Sequence, residues 1–117
     1  MGLEDNIPRI NQDVLEKFMY DVFVNMGVPE DDAKIVADVL ITADKLGIDS
    51  HGISRLKPIY YQRIKNGVLS PITNIEITRE GPTTAVLDGN HGMGHVIGHR
   101  AMEMAIAKAK QYGMGMV

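Results

Sequence analysis

Cysteine is absent from the 117 residues, and so is tryptophan. Without thiols there is no disulfide staple, no thiolate metal site and no cysteine nucleophile. The absence also fits a reducing compartment, and a cytoplasmic protein is the expectation. Aromatic side chains are scarce, with two Phe and four Tyr, whereas Met numbers eight. A core therefore has to be assembled from Met, Ile, Leu, Val and Ala. No apolar run approaches the roughly 20 residues of a membrane span, so no membrane is expected as a partner. No basic-then-apolar leader opens the chain, and no signal peptide is expected. Neither charge dominates: 12 Lys and Arg face 15 Asp and Glu, a net −3. That mild acidity argues against a nucleic-acid binder, which carries a basic face. Disorder is excluded too, because 44% apolar and 23% charged residues is a globular composition. One domain is expected at this length, burying about two-thirds of the surface its unfolded chain exposes.

What is present reads first as helices. Residues 1–10 form a short leading arm. Val14, Leu15, Phe18, Met19, Val22, Phe23 and Met26 then recur at helical spacing, with Asn11 as the cap and Gly27 as the left-handed stop. Pro29 suits the first turn of a second helix, where Glu30, Asp31 and Asp32 meet the positive end of the dipole. Its stripe is Ala33, Val36, Ala37, Leu40, Ala43 and Leu46, and Gly47 stops it. A third helix is expected from a Ser54 cap, with Pro58 in its first turn, a stripe of Leu56, Ile59, Tyr60 and Ile64, and Gly67 at its end. Past Pro71 the period changes. Asn74 to Thr78 alternates like a strand, Glu80-Gly81-Pro82 turns, and Thr83 to Leu87 returns as the second half of an antiparallel hairpin. A fourth helix follows the glycines of residues 89–94. Val96, Ile97, Ala101, Met104 and Ala105 face inward, Lys108 and Lys110 complement its C-terminal dipole, and Gly113 stops it. Met114 to Val117 reads as the opening of a buried strand. A lone hairpin needs more sheet to cover it, so a chain cut inside a larger protein is the expectation, against a frayed natural terminus.

Three stretches invite chemistry. His91, His95 and His99 are spaced four apart, which on a helix would put them on one face, as in zinc sites. Gly92, Gly94 and Gly98 interrupt them and no Glu follows His91, so solvent-facing polar residues are the plainer reading and no metal is assigned. The same glycines, after a strand, imitate a dinucleotide-binding turn that brings a pyrophosphate to a helix N-terminus. Helix-on-sheet packing explains them more simply, since the preceding strand belongs to a hairpin. The third stretch, Asp49-Ser50-His51-Gly52-Ile53-Ser54-Arg55, lies between a helix stop and a helix start. A His there, near a positive helix end, is favoured as the neutral proton acceptor. Arg55, four residues on, can pair with a carboxylate through two parallel hydrogen bonds. Together they suit proton transfer on a hydroxyl or carbonyl beside a carboxylate. Read alone, a polar capping loop with Asp49 and Ser50 as turn formers accounts for the same residues.

The order of several motifs carries a resemblance. They are Gly27-Val28-Pro29-Glu30-Asp31-Asp32-Ala33, Ala43-Asp44 with Gly47, Ser50-His51-Gly52 with Arg55, and the Gly67 helix end. Arg79-Glu80-Gly81-Pro82, Asp88-Gly89, the glycines at 92, 94 and 98, and Lys108-Ala109-Lys110 with Gly113 follow. In these pieces the chain resembles the N-terminal part of the malate/L-lactate dehydrogenase family, NAD(P)-dependent oxidoreductases that lack a Rossmann fold. The resemblance implies an α+β fold in which N-terminal helices precede a β-hairpin and a long helix. Residues 1–70 would be a helical segment carrying the Ser-His-Gly loop, and 71–117 the hairpin, helix and start of a central domain. It implies that His51 transfers a proton beside the nicotinamide and that Arg55 holds the substrate carboxylate. Ser50 would touch the substrate and Gly52 the cofactor, which is NAD or NADP. The substrate would be a small 2-hydroxy or 2-oxo acid, and the assembly a homodimer. Full members run to roughly two to three times this length, as two-domain proteins do. The missing part carries another His motif, an acidic catalytic residue and most cofactor contacts, so this chain alone is expected to bind cofactor poorly and turn over little. The other class of reading is a stand-alone helical interaction module that kept the fold without the chemistry.

Overall fold

The computed structural model describes residues 7–117. The first six positions of the expected leading arm lie outside the described residues, and Ile7 to Ile10 are exposed and irregular. Helix α1 (Gln12–Asn25) starts as expected: Asn11 Oδ1 accepts the N–H groups of Asp13 and Val14 at 2.9 and 3.2 Å. It ends at Gly27 with φ +92°, where the Val28 N–H donates to Phe23 O, closing the turn. The apolar stripe is wider than the contact it makes. Met19 and Phe23 are fully buried, but Val14 and Phe18, expected inside, are 63% and 51% exposed. They lie one position, about 100° of turn, away from the line Leu15–Met19–Phe23.

Helix α2 (Glu30–Lys45) runs back against α1 and buries Ala33, Val36, Ala37, Leu40 and Ile41. Leu46 falls beyond its end and is exposed rather than part of the stripe. The same closing turn recurs at Gly47, with φ +76° and Ile48 N–H donating to Ala43 O.

The expected third helix is broken into pieces. Single 3-10 turns span Asp49–His51 and Ile53–Arg55, a π-helical segment spans Leu56–Tyr61, and only Gln62–Lys65 (α3) is α-helical. Gly52, at φ −95° and ψ −140° and so neither helical nor extended, separates the two 3-10 turns. Ser54 does not cap: its hydroxyl donates to Asp49 O at 2.6 Å. Pro58 lacks the N–H an α-helical ladder needs, and the wider turn falls around it.

Strands β1 (Glu76–Glu80) and β2 (Ala85–Asp88) form the expected antiparallel hairpin, each beginning two residues later than the sequence suggested. Their register pairs Ile77 with Leu87 and Arg79 with Val86, leaving Thr78 as a bulge whose hydroxyl donates to Val86 O. Helix α4 (Gly94–Tyr112) buries Val96 and half-buries Ile97, Ala101, Met104 and Ala105, and ends at Gly113 with φ +89°. Lys108 does not serve the helix dipole. Its ammonium turns to the hairpin, donating to Glu80 Oε1 at 2.8 Å and Gly81 O at 2.9 Å.

After α4 the tail returns beside β2. Met116 pairs with Thr84 in a parallel bridge, through Ala85 N–H to Met116 O and Met116 N–H to Thr83 O. The expected strand is thus present as one bridge, with Met114 and Met116 exposed rather than buried. β2 accordingly has an antiparallel neighbour on one side and a parallel one on the other. The core lies between α1, α2, Leu56 of the π segment and the start of α4, where Met93 and Val96 are fully buried. Arg100 of α4 reaches the buried Asp32 of α2 at 2.5 Å. No helix among the described residues is long and apolar enough to cross a membrane.

Candidate functional site

The Ser50–Arg55 stretch is a short double turn hung from α2. His51 N–H closes one 3-10 turn on Ile48 O, and Arg55 N–H closes the next on Gly52 O. These turns bring three of the singled-out side chains together. Ser50 Oγ lies 2.8 Å from His51 Nδ1, and Arg55 Nη2 lies 3.2 Å from His51 Nε2. Arg55 Nε also donates to Ser50 O at 2.8 Å, which fixes the guanidinium over the loop. A guanidinium has no acceptor, so the contact assigns the lone pair to Nε2. In that pairing Nδ1 is the nitrogen that donates to Ser50 Oγ. Ser50 and His51 are exposed and Arg55 is half-buried, so the group is presented at the surface.

The positive α-helix end expected beside His51 is not there, because short 3-10 turns take its place. The nearby cation is Arg55 itself. Gly52 is buried beneath the group. A side-chain carbon on it would overlap the Asp44 carboxylate, 1.8 Å from Oδ1.

A second polar pair lies close by and was not read from the sequence. Tyr60 OH, from the π segment, is 3.2 Å from His95 Nε2 at the start of α4, with the two rings tilted at 5.5 Å. Phe23 meets the Tyr60 ring edge-on at 5.7 Å. Burial lowers the pKa of His95, and the charge of Arg55 lowers it further. Burial raises that of Tyr60, against the opposing pull of Arg55 and Arg63. The charge of Arg55 is thus felt at both. No signal in the sequence marks this pair, since residues 60 and 95 meet only through the fold.

The three histidines spaced four apart do not converge. His91 sits in the loop at φ +58°, with its carbonyl accepting from Ser70 N–H. His95 faces Tyr60, and His99 Nε2 lies 3.4 Å from Glu103 Oε1. Among the described residues no three His, Asp or Glu side chains group as a metal cage. Packing explains only some of these glycines, since nothing lies within 4 Å of a side-chain carbon built at Gly94 or Gly98. A side chain at Gly89 would strike Ile97 at 2.3 Å, and one at Gly92 would crowd Thr73 and Gly89 O at about 3 Å.

Comparison with known proteins decides the lineage. The model of the family described as malate/L-lactate dehydrogenase matches residues 10–117. The chain belongs to that family. Among its relatives, the malate dehydrogenase of Pyrococcus abyssi is 48% identical over 98% of this chain and 32% of its own. The L-sulfolactate dehydrogenase of Methanocaldococcus jannaschii is 50% identical over 87% of this chain and 29% of its own. The solved malate dehydrogenase of Pyrococcus horikoshii superposes with a TM-score of 0.93 at 44% identity, covering 98% of this chain and 33% of that one. That of Entamoeba histolytica gives 0.89 at 49% identity, covering 92% and 30%. The chain therefore spans about a third of the length of the curated family members it matches. The four helices and hairpin are an N-terminal portion of the malate dehydrogenase fold.

Proposed function

We propose that this chain supplies the proton-transfer end of the active site of an NAD- or NADP-dependent dehydrogenase acting on a small 2-hydroxy or 2-oxo acid. The observation that carries the reading is the meeting of His51 and Arg55, with Arg55 Nη2 at 3.2 Å from Nε2 and Ser50 Oγ at 2.8 Å from Nδ1. Supporting it, relatives are named for malate and for L-sulfolactate. A stand-alone interaction module gives no reason for these side chains to meet.

The donor set fits the reacting end of such a pair: an imidazole whose Nε2 is the acceptor, beside a cation that matches a carboxylate. The nicotinamide, when bound, supplies or receives the hydride. His51 Nε2 takes the proton of the substrate hydroxyl in one direction and returns it in the other. Ser50 accepts from Nδ1 and so keeps the lone pair on Nε2. Arg55 turns its fork from His51 to the substrate carboxylate, which both anchors the acid and frees Nε2. Gly52 serves the cofactor side through its backbone, because its α-carbon faces Asp44. The helical part, residues 1–70, presents these groups, and 71–117 begins the domain that completes the site. The full assembly is a cytoplasmic homodimer, and this chain alone is inactive.

A hybrid enzyme tests the proposal. This chain replaces the matching third of the Pyrococcus horikoshii malate dehydrogenase, and oxaloacetate- and pyruvate-dependent oxidation of NADH and NADPH is followed. The hybrid turns over and the chain alone does not. His51→Ala in the hybrid lowers kcat by about 10²–10⁴, the usual worth of a general acid–base group. Undiminished kcat in a folded His51→Ala hybrid would refute the assignment.

A further inference from the structure

We propose that Asp44 is a positioning residue for this site, holding the hinge between His51 and Arg55; the proposal rests on the roles given to those two residues above. Asp44 lies in the last turn of α2, where the helix dipole favours cations and disfavours a carboxylate. Nothing local explains its placement. Its Oδ2 accepts the N–H of Ile53 at 2.8 Å. Ile53 heads the second 3-10 turn, so its N–H has no partner within that turn. The acceptor comes instead from a different helix.

The held peptide, Gly52–Ile53, is the junction of the two turns. His51 lies just before it and Arg55 just after, so its orientation sets their mutual geometry. The carboxylate also rests flat on Gly52. The three atoms nearest to a side-chain carbon built there are Asp44 Oδ1, Cγ and Oδ2, at 1.8, 2.1 and 2.4 Å. Glycine at 52 and aspartate at 44 are therefore one device. The missing side chain lets the carboxylate come down onto the backbone, and the carboxylate fixes the backbone that carries the base and the guanidinium. Asp44 touches no substrate in this scheme and acts only through His51 and Arg55.

The test uses this chain and reads the imidazole directly. Nitrogen-15 NMR at alkaline pH reports the His51 tautomer, amide exchange reports Ile53, and the core signals of Phe23 and Leu40 report the fold. Asp44→Ala keeps the core signals, loses the single Nδ1–H tautomer of His51, and speeds Ile53 exchange about 10- to 100-fold, the worth of a hydrogen bond to a charged acceptor. Asp44→Asn, which keeps an acceptor oxygen, retains the tautomer. Gly52→Ala displaces the carboxylate from the other side and reproduces the Asp44→Ala result. The double variant Asp44→Ala/Gly52→Ala is no worse than Asp44→Ala alone, because the obstacle has gone. A folded Asp44→Ala chain with unaltered His51 and Ile53 signals overturns the proposal, as does additivity in the double variant. If Asp44→Ala unfolds, Asp44→Asn and Gly52→Ala decide, and like behaviour of the two overturns it. Any of these failures leaves the role of His51 to be judged separately in the hybrid enzyme.

Discussion

Replacing Arg100 with Met isolates the ion pair between α2 and α4 from the apolar packing that also joins them. The Asp32 side chain is 6% exposed and that of Arg100 is 49% exposed, with 2.5 Å between their charged atoms. Methionine keeps most of the apolar stem and removes the guanidinium, so packing is largely retained. What remains is a buried carboxylate without its partner. Breaking a fully buried pair costs about 3–5 kcal/mol. Half of Arg100 is in water, where ion pairs are screened, so about half of that figure applies. The net cost is about 1.5–2.5 kcal/mol, which lowers the melting temperature of a chain this size by about 6–10 °C. Reversible thermal unfolding followed by circular dichroism measures it, alongside Asp32→Asn and the double variant. The two single changes should not add, because each removes the same interaction. A loss under about 0.5 kcal/mol for Arg100→Met, or simple additivity in the cycle, would refute this account.

Two further outcomes follow from the geometry. Because burial and then Arg55 hold the His95 pKa below its ordinary value, the unfolded chain binds the proton more readily than the folded one. Its contribution to stability is therefore present above about pH 6.5 and is lost as pH falls through the lower folded value; urea midpoints between pH 5 and 8 should slope less in His95→Gln, and parallel slopes would count against the pair. The tail passes α4 where a side chain at Gly115 would lie 2.0 Å from Ala105 O. Gly115→Ala should release the Met116 bridge, costing about 1–3 kcal/mol for its two backbone hydrogen bonds and speeding exchange of the Ala85 amide, and unchanged exchange would argue against it.

Much of the scaffold was legible in the residues because helix signals are local. Asn11, Gly27, Gly47 and Gly113 act where the sequence put them, and the hairpin lies within two residues of its expected place. The departures are non-local. Whether Phe18 is buried depends on how wide a strip of α1 another helix covers, which periodicity along α1 does not report. Lys108 left its dipole role because the hairpin turn offered a carboxylate and a carbonyl. In the loop, His51, Arg55 and Ser50 were legible because the three lie within a few residues and a tight turn joins them. Asp44 carries its meaning only across a tertiary contact, and Tyr60 with His95 only through the packing of the π segment against α4.

The π-helical segment Leu56–Tyr61 has a consequence of its own. Arg55 and Tyr60 are five residues apart. On an α-helix that spacing would leave them about 140° apart around the axis. The wider turn brings residues five apart nearly into line, on the side where the charge of Arg55 reaches Tyr60 and His95. The turn thus takes in one residue more than an α-helical turn would while keeping Arg55 and Tyr60 on one side. A single deletion between 56 and 60 that returned it to α pitch would leave the two residues four apart, about 40° round the axis, so the wider turn lets five residues span what four span in an α-helix.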